Sequence, residues 1–253
     1  MTETVELAGA PRGVRAIIQW IGVAMLATAV SSSAAISLAI LAAEANADTD
    51  TYYYLVLAAV LSFPLLSALG NSWLFRREFR RPVLWGALTG GGLVGAMASL
   101  VILVTTFDDL WGPMSSRLAS WISPGVGLPQ PPSAFVSYTG GGALFGLVLG
   151  GIQAVALDFD WTARVRWIVM SASAGWLAAL PAYLFLEVDA GNALFGQIAE
   201  IIALPGDWPF VPIAVLVALA AHFSFALPTG LFMWRLRRQH RYAKAAALMQ
   251  RFD

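Results

Sequence analysis

The sequence predicts an all-α, multi-pass membrane protein of six transmembrane helices with both termini in the cytoplasm. Three observations predict it. The first is composition: of 253 residues, 58% are hydrophobic and 12% are charged, about half the charged share of an average soluble domain. The second is the presence of six apolar stretches, at 16–43, 52–75, 83–107, 133–157, 167–186 and 210–234. Each reaches the roughly 20 residues that a helix needs to cross the hydrocarbon. The third is charge asymmetry. Fourteen of the 15 basic residues fall before the first stretch, between the second and third, between the fourth and fifth, or after the sixth. Only Arg117 falls on the other side, whose loops carry acidic residues such as Asp108, Asp109, Glu187 and Asp189. The positive-inside rule places the basic side in the cytoplasm.

A helix is the expected form of each stretch because the bilayer interior supplies no water to satisfy backbone groups. No stretch alternates with the period of two that a lipid-facing β-strand needs. Residues 1–15 are expected to form a cytoplasmic segment, 16–236 the six-helix bundle, and 237–253 a basic cytoplasmic helix. Ala45-Asn46-Ala47 resembles a cleavage site, but the apolar stretch before it is longer than the ~7–15 residues of a signal core, so the first span is expected to be uncleaved. The tryptophans match this topology. Trp20, Trp73, Trp85, Trp161, Trp167 and Trp234 fall at the inner boundary, and Trp111, Trp121 and Trp208 at the outer one, as in an aromatic belt. Only Trp176 falls deep within a span.

Two outer loops carry short helical patterns. After Pro113, Met114, Leu118, Trp121 and Ile122 recur at helical spacing, and Pro113 suits a first-turn position. Leu194, Ile198, Ile201 and Ile202 do the same. Both segments are expected to lie in the outer interface. The Gly/Pro-rich stretch 125–132 between them is expected to be extended. The chain also nearly repeats at an offset of 50, where Thr89-Gly90-Gly91-Gly92 matches Thr139-Gly140-Gly141-Gly142. Inverted repeats occur in transporters, but glycine-rich spans resemble one another by composition alone.

Small residues recur at four-residue spacing. Gly142, Gly146 and Gly150 form a double GxxxG, the pattern of a glycine zipper. Gly91, Gly95 and Ser99 do so in the third span, Ser171, Gly175 and Ala179 in the fifth, and Ala27, Ser31, Ala35 and Ala39 in the first. Helices in lipid gain association energy from close backbone approach, which small residues permit. Gly91, Gly95, Gly142, Gly146, Gly150 and Gly175 are therefore the expected helix-packing positions. Pro64, Pro181 and Pro228 fall within spans and are expected to kink them.

Chemistry-bearing residues are few. The chain has no cysteine and two histidines, which excludes disulfides, thiolate catalysis, iron–sulfur clusters and thiolate zinc sites. His222 lies near the middle of the sixth span, where an ionisable group is costly and defaults to a functional hypothesis. It could serve as one axial ligand to a chlorophyll-type magnesium. The blander expectation is a neutral ring hydrogen-bonded to a neighbouring helix, with Ser31, Ser32, Ser33, Ser99 and Ser173 at suitable depths. The segment 139–146 resembles the GxSGxxFG segment of rhomboid intramembrane proteases, but Gly141 stands where the serine nucleophile belongs. Without that serine the covalent chemistry is lost. No nucleotide-binding loop, paired catalytic carboxylates or HExxH motif is present, so the chain is expected not to be an enzyme and requires no cofactor.

Partners follow from charge. Zero net charge gives no sign of nucleic-acid binding. Arg76, Arg77, Arg80, Arg81, Arg235, Arg237, Arg238 and Arg241 cluster beside the membrane and are expected to contact anionic lipid or a cytoplasmic partner. Arginine dominates lysine 14 to 1, which fits a GC-rich bacterial genome and a bacterial inner membrane. The functional expectation is a non-catalytic accessory or assembly subunit among other membrane subunits. The rivals are a small transporter or channel subunit, and a pigment- or quinone-binding subunit using His222.

Overall fold

The computed structural model describes residues 10–45, 49–74, 76, 81–106, 108–126, 132–157, 160–187, 193, 197 and 210–249. These form seven helices and, among the described residues, no strand. They are α1 (Ala10–Glu44), α2 (Thr49–Leu74), α3 (Pro82–Thr106), α4 (Asp108–Val126), α5 (Pro132–Ala154), α6 (Trp161–Leu186) and α7 (Phe210–Met249). Five of them, α1, α3, α5, α6 and α7, are long and apolar enough to cross a membrane. The contiguous apolar part of α2 is shorter, Val60–Leu74. The chain is a helical, multi-pass membrane protein.

Six helices close into a ring in the order α1, α2, α3, α5, α6, α7 and back to α1. Apart from the step over α4, each packs on its neighbour in sequence, as short connections favour. The outlier, α4, lies against α5 and, more lightly, α3. Side chains fill the ring. At one end, Trp20, Trp85, Leu157, Trp167, Ala226 and Met233 form a buried cluster, with Leu74 of α2 packed against it. Farther along α3 and α5, Leu93, Ala96 and Leu149 pack with Phe63, Phe145, Val148 and Phe225. From the α1 stripe of small residues, Ser31 faces α2, where the Ser62 hydroxyl donates to its Oγ at 3.0 Å.

Several boundaries differ from the expectations. Helix α6 starts at Trp161 rather than 167, because Asp160 caps it. Its carboxylate accepts from the Ala163 N–H at 2.8 Å, satisfying a donor that the first turn leaves free. Helix α7 runs unbroken from Phe210 to Met249, so no structural break separates the bundle from the basic tail at 236–237. Helix α4 begins five residues before Pro113, which sits inside it. The extended stretch was expected from 125, but Gly125 and Val126 still belong to α4 and Pro132 opens α5. Of the segment 194–202, expected to form the second outer helix, only Gln197 is described.

Two facing directions emerge only in the fold. Met114, Leu118 and Trp121 of α4 point outward, Trp121 being 81% exposed, while Ser115 and Ala119 are buried. Small side chains let α4 approach the bundle, and the Ser137 hydroxyl donates to Ser115 Oγ at 3.2 Å. The tryptophans expected at the inner boundary do not form one belt. Trp73 and Trp161 are exposed, but Trp20, Trp85 and Trp167 turn inward and build the end cluster. Radial direction was set by what each ring could pack against.

Candidate functional site

Among the described residues, α5 and α6 approach each other closely. A β-carbon added at Gly142 would collide with the Gly175 carbonyl oxygen, and one added at Gly175 with that of Gly142. At Gly146 it would lie 2.7 Å from the Ser171 carbonyl carbon and 3.0 Å from Ala172 Cα. At Gly150 it would meet Ser171 Cβ at 2.6 Å. The two backbones meet directly at Gly142 and Gly146, and at Gly150 the small Ser171 side chain lies between them. Five of these α5 and α6 positions, Gly142, Gly146, Gly150, Gly175 and Ser171, were singled out from the sequence.

The third span behaves differently. Gly91 has nothing within 4 Å of an added β-carbon, and Gly95 has only the Ile152 side-chain tip at 3.4 Å. Among the described residues, Gly91 packs on nothing and Gly95 only touches Ile152 of α5. Gly86 and Gly90 fill the packing role against α2, at Ala68, Ser72 and Pro64, and a β-carbon added at Gly92 would come 2.9 Å from Leu149 of α5. Three consecutive glycines on a helix point about 100° apart, so only one or two can share a face. Spacing alone could not say which register the neighbours would use. Gly91 instead shares an exposed face with Ala87, Val94 and Ala98.

At the tryptophan end, α3, α5 and α6 meet in a polar corner. Gln153 is 2% exposed, and its Nε2 donates to Thr89 Oγ1 at 3.1 Å. Trp85 and Trp167, both fully buried, pack with ring centres 6.0 Å apart and planes inclined at 60°. Ser171, also fully buried, lies beside Gly150. Among these buried side chains, Gln153 Oε1, Trp167 Nε1 and Ser171 Oγ have no hydrogen-bond partner in the protein. Sequence reasoning noted Gln153 as polar and near the inner face but did not join it to Thr89. The usable signal was that Gln153 and Gly150 lie three residues apart, on one helix face.

His222 sits half-buried on α7. Its Nδ1 lies 3.0 Å from the carbonyl oxygen of Ala218, one turn back on the same helix. Phe63 of α2 meets the imidazole edge-on, centroids 4.7 Å apart. The hydrogen bond is therefore local, not to a neighbouring helix as expected. Of the serines proposed as partners, Ser99 and Ser173 donate to their own helices, and Ser31 pairs with Ser62. A ring nitrogen that reaches a carbonyl on its own helix needs no other helix to be satisfied.

The basic residues gather at the tryptophan end. Arg76, Arg81, Arg235 and Arg238 are exposed. The Arg76 guanidinium lies over the exposed Trp73 ring at 5.1 Å, and that of Arg238 over Trp234 at 5.8 Å. Such stacks hold a cation beside an interface-seeking indole. Arg77 and Arg80 lie outside the described residues, and Arg237 and Arg241 lie on α7. On the outward side of the α5–α6 seam, Ala143, Ala172, Ser173, Trp176 and Leu177 line an open groove of about 470 Å³. Comparison with protein-family models, curated proteins and solved structures found no match.

Proposed function

We propose that this protein is a non-catalytic accessory or assembly subunit of a larger bacterial inner-membrane complex. In this reading it has six spans and both termini are cytoplasmic. One observation carries the proposal: the outward face of α3. Ala87, Gly91, Val94 and Ala98 recur at helical spacing on that face, and Gly91 presents bare backbone to open space. Small residues on a transmembrane helix earn their place through close helix contact. Among the described residues Gly91 makes none, so the occupant proposed for this face is a transmembrane helix of another subunit. The apolar plug of Phe63, Phe145, Phe225, Leu93 and Leu149 supports a sealed bundle over a solute path.

The test exploits the open space. Gly91→Leu should fold and melt like wild type but lose the membrane proteins that copurify in mild detergent. A wild-type chain that runs alone, as a monomer, in every mild extraction would overturn the accessory reading. Retention of the partners by Gly91→Leu would remove α3 as their docking face. Topology is checked by introduced cysteines. Positions 50, 126 and 190 should react with an impermeant thiol reagent in intact cells, and positions 78 and 245 should not. A visible absorption band in the pure protein, lost in His222→Gln, would favour the pigment-binding rival instead.

A further inference from the structure

We propose that the end of the molecule where the arginines gather binds anionic phospholipid, its headgroup phosphates held by Arg76 and Arg238 and its acyl chains laid along the outward faces of α1 and α2. Packing places the two arginines on either side of α1, since α2 and α7 both contact that helix. Ser62 of α2 meets Ser31 of α1, and a β-carbon added at Gly70 would meet Val23. The same antiparallel register carried three residues on sets Trp73 level with Trp20. On the other side, a β-carbon added at Gly230 of α7 would come 3.1 Å from the Trp20 ring. Trp234 lies one turn beyond Gly230, so the heights of Trp73 and Trp234 differ by about one turn, roughly 6 Å.

Each of these indoles seats a cation. The Arg76 guanidinium lies 5.1 Å from the centre of the exposed Trp73 ring, and that of Arg238 5.8 Å from Trp234. A guanidinium seated on an indole is held at the membrane surface, where both groups are favoured, instead of reaching out into water. At Arg76 the contact is with a ring and not with a carboxylate, which leaves the fork of N–H donors for phosphate oxygens. Arg81 and Arg235 add exposed positive charge at the same end. Among the described residues the only carboxylate there is Asp160, which is engaged with the Ala163 N–H. Below the arginines the surface turns apolar. Leu61, Leu65, Leu69 and Trp73 recur every four residues as an exposed stripe of α2 that leads up to Arg76. Ile18, Gly22, Leu26 and Val30 form a parallel stripe on α1, and a β-carbon added at Gly22 would have nothing within 4 Å. A cytoplasmic protein would meet only the arginines. An anionic phospholipid matches both parts, its head the arginine–indole pairs and its chains the apolar stripes.

The experiment compares two lipids around one protein. In phosphatidylcholine vesicles holding the full chain, electron spin resonance reads how much of a spin-labelled lipid the protein immobilises. Spin-labelled phosphatidylglycerol should be immobilised several-fold more than spin-labelled phosphatidylcholine, and high salt should shrink that preference because exposed charges are screened. The double variant Arg76→Gln with Arg238→Gln should lose most of the preference, whereas Arg117→Gln, on α4 at the far end, should keep it. Should the double variant not fold, the wild-type salt dependence and the single change Arg76→Gln carry the test. Equal immobilisation of the two lipids by the wild type overturns the proposal. So does a preference that survives removal of both arginines, or one that Arg117→Gln removes equally. Soluble glycerol phosphate should not compete; competition by it would make a free phosphate, not a lipid, the ligand. A double variant that keeps the lipid preference but loses copurifying proteins would assign the arginines to a protein partner instead.

Discussion

Gly142, Gly146 and Gly150 on α5 carry the same small-residue spacing as Gly91 and Gly95 on α3, and the fold uses the two stripes in opposite ways. The α5 stripe is pressed against α6 at three successive turns, whereas Gly91 looks onto open space. The difference lies in what faces each stripe. Opposite Gly142 and Gly146 stand Gly175 and Ser171, themselves small, so two bare backbones can meet. Against α2, helix α3 uses the register of Gly86 and Gly90, and against α5 it uses Gly92. With those faces committed, Gly91 is turned outward. A GxxxG pattern therefore states that a helix can approach closely; it names neither the partner nor whether that partner belongs to the same chain.

The largest expected effect breaks the α5 side of this contrast. Gly146→Leu places a side chain into the Ser171 carbonyl and Ala172 Cα, so α5 and α6 must separate. Over-packing of this kind costs about 1–3 kcal/mol and sometimes more, and here the obstruction is backbone. Thermal melting in detergent should show a large drop or no folded protein. A melting temperature equal to that of wild type would mean the seam is looser than described.

Next comes the polar corner below the seam. Thr89→Val removes the Gln153 hydrogen bond while keeping the side-chain shape, leaving a buried amide group unmet. The loss should be about 1–2 kcal/mol, read as a lower melting midpoint. Gln153→Leu combined with Thr89→Val should cost less than the sum of the two single changes, because each deletes the same bond.

His222 should matter less. Its Nδ1 meets a carbonyl on its own helix, so changing the ring leaves no distant partner bare. His222→Gln should be nearly neutral, and His222→Leu should cost about 0.6 kcal/mol, at the low end of intramembrane hydrogen bonds. A markedly larger loss in His222→Leu would show that the ring holds something besides Ala218 and Phe63.

The smallest effect sharpens the contrast from the other side. Gly91→Leu should change the melting behaviour of the isolated chain by no more than about 0.5 kcal/mol, the usual range for an exposed substitution. Equal destabilisation by Gly91→Leu and Gly146→Leu would erase the distinction between the two stripes.

Much of the architecture was legible along the chain. Five long apolar helices follow from runs of about 20 or more apolar residues, because backbone polar groups in lipid must be satisfied within the helix. The α5–α6 glycine pairing was half legible, since Gly142, Gly146, Gly150 and Gly175 stand at contact spacing in the sequence. The sequence also placed Trp20, Trp85 and Trp167 at one depth. Only the tertiary structure decided that they turn inward, that Gly91 turns outward, and that Thr89, Gln153, Trp167 and Ser171 share one corner. The physical reason is that periodicity along a helix fixes height and relative angle about its axis, whereas the direction of the core is set by neighbours far away in sequence. In a soluble helix the polar face would mark the outside. Here lipid and core are equally apolar, so hydrophobicity specifies the spans, and packing shape determines which way each one faces.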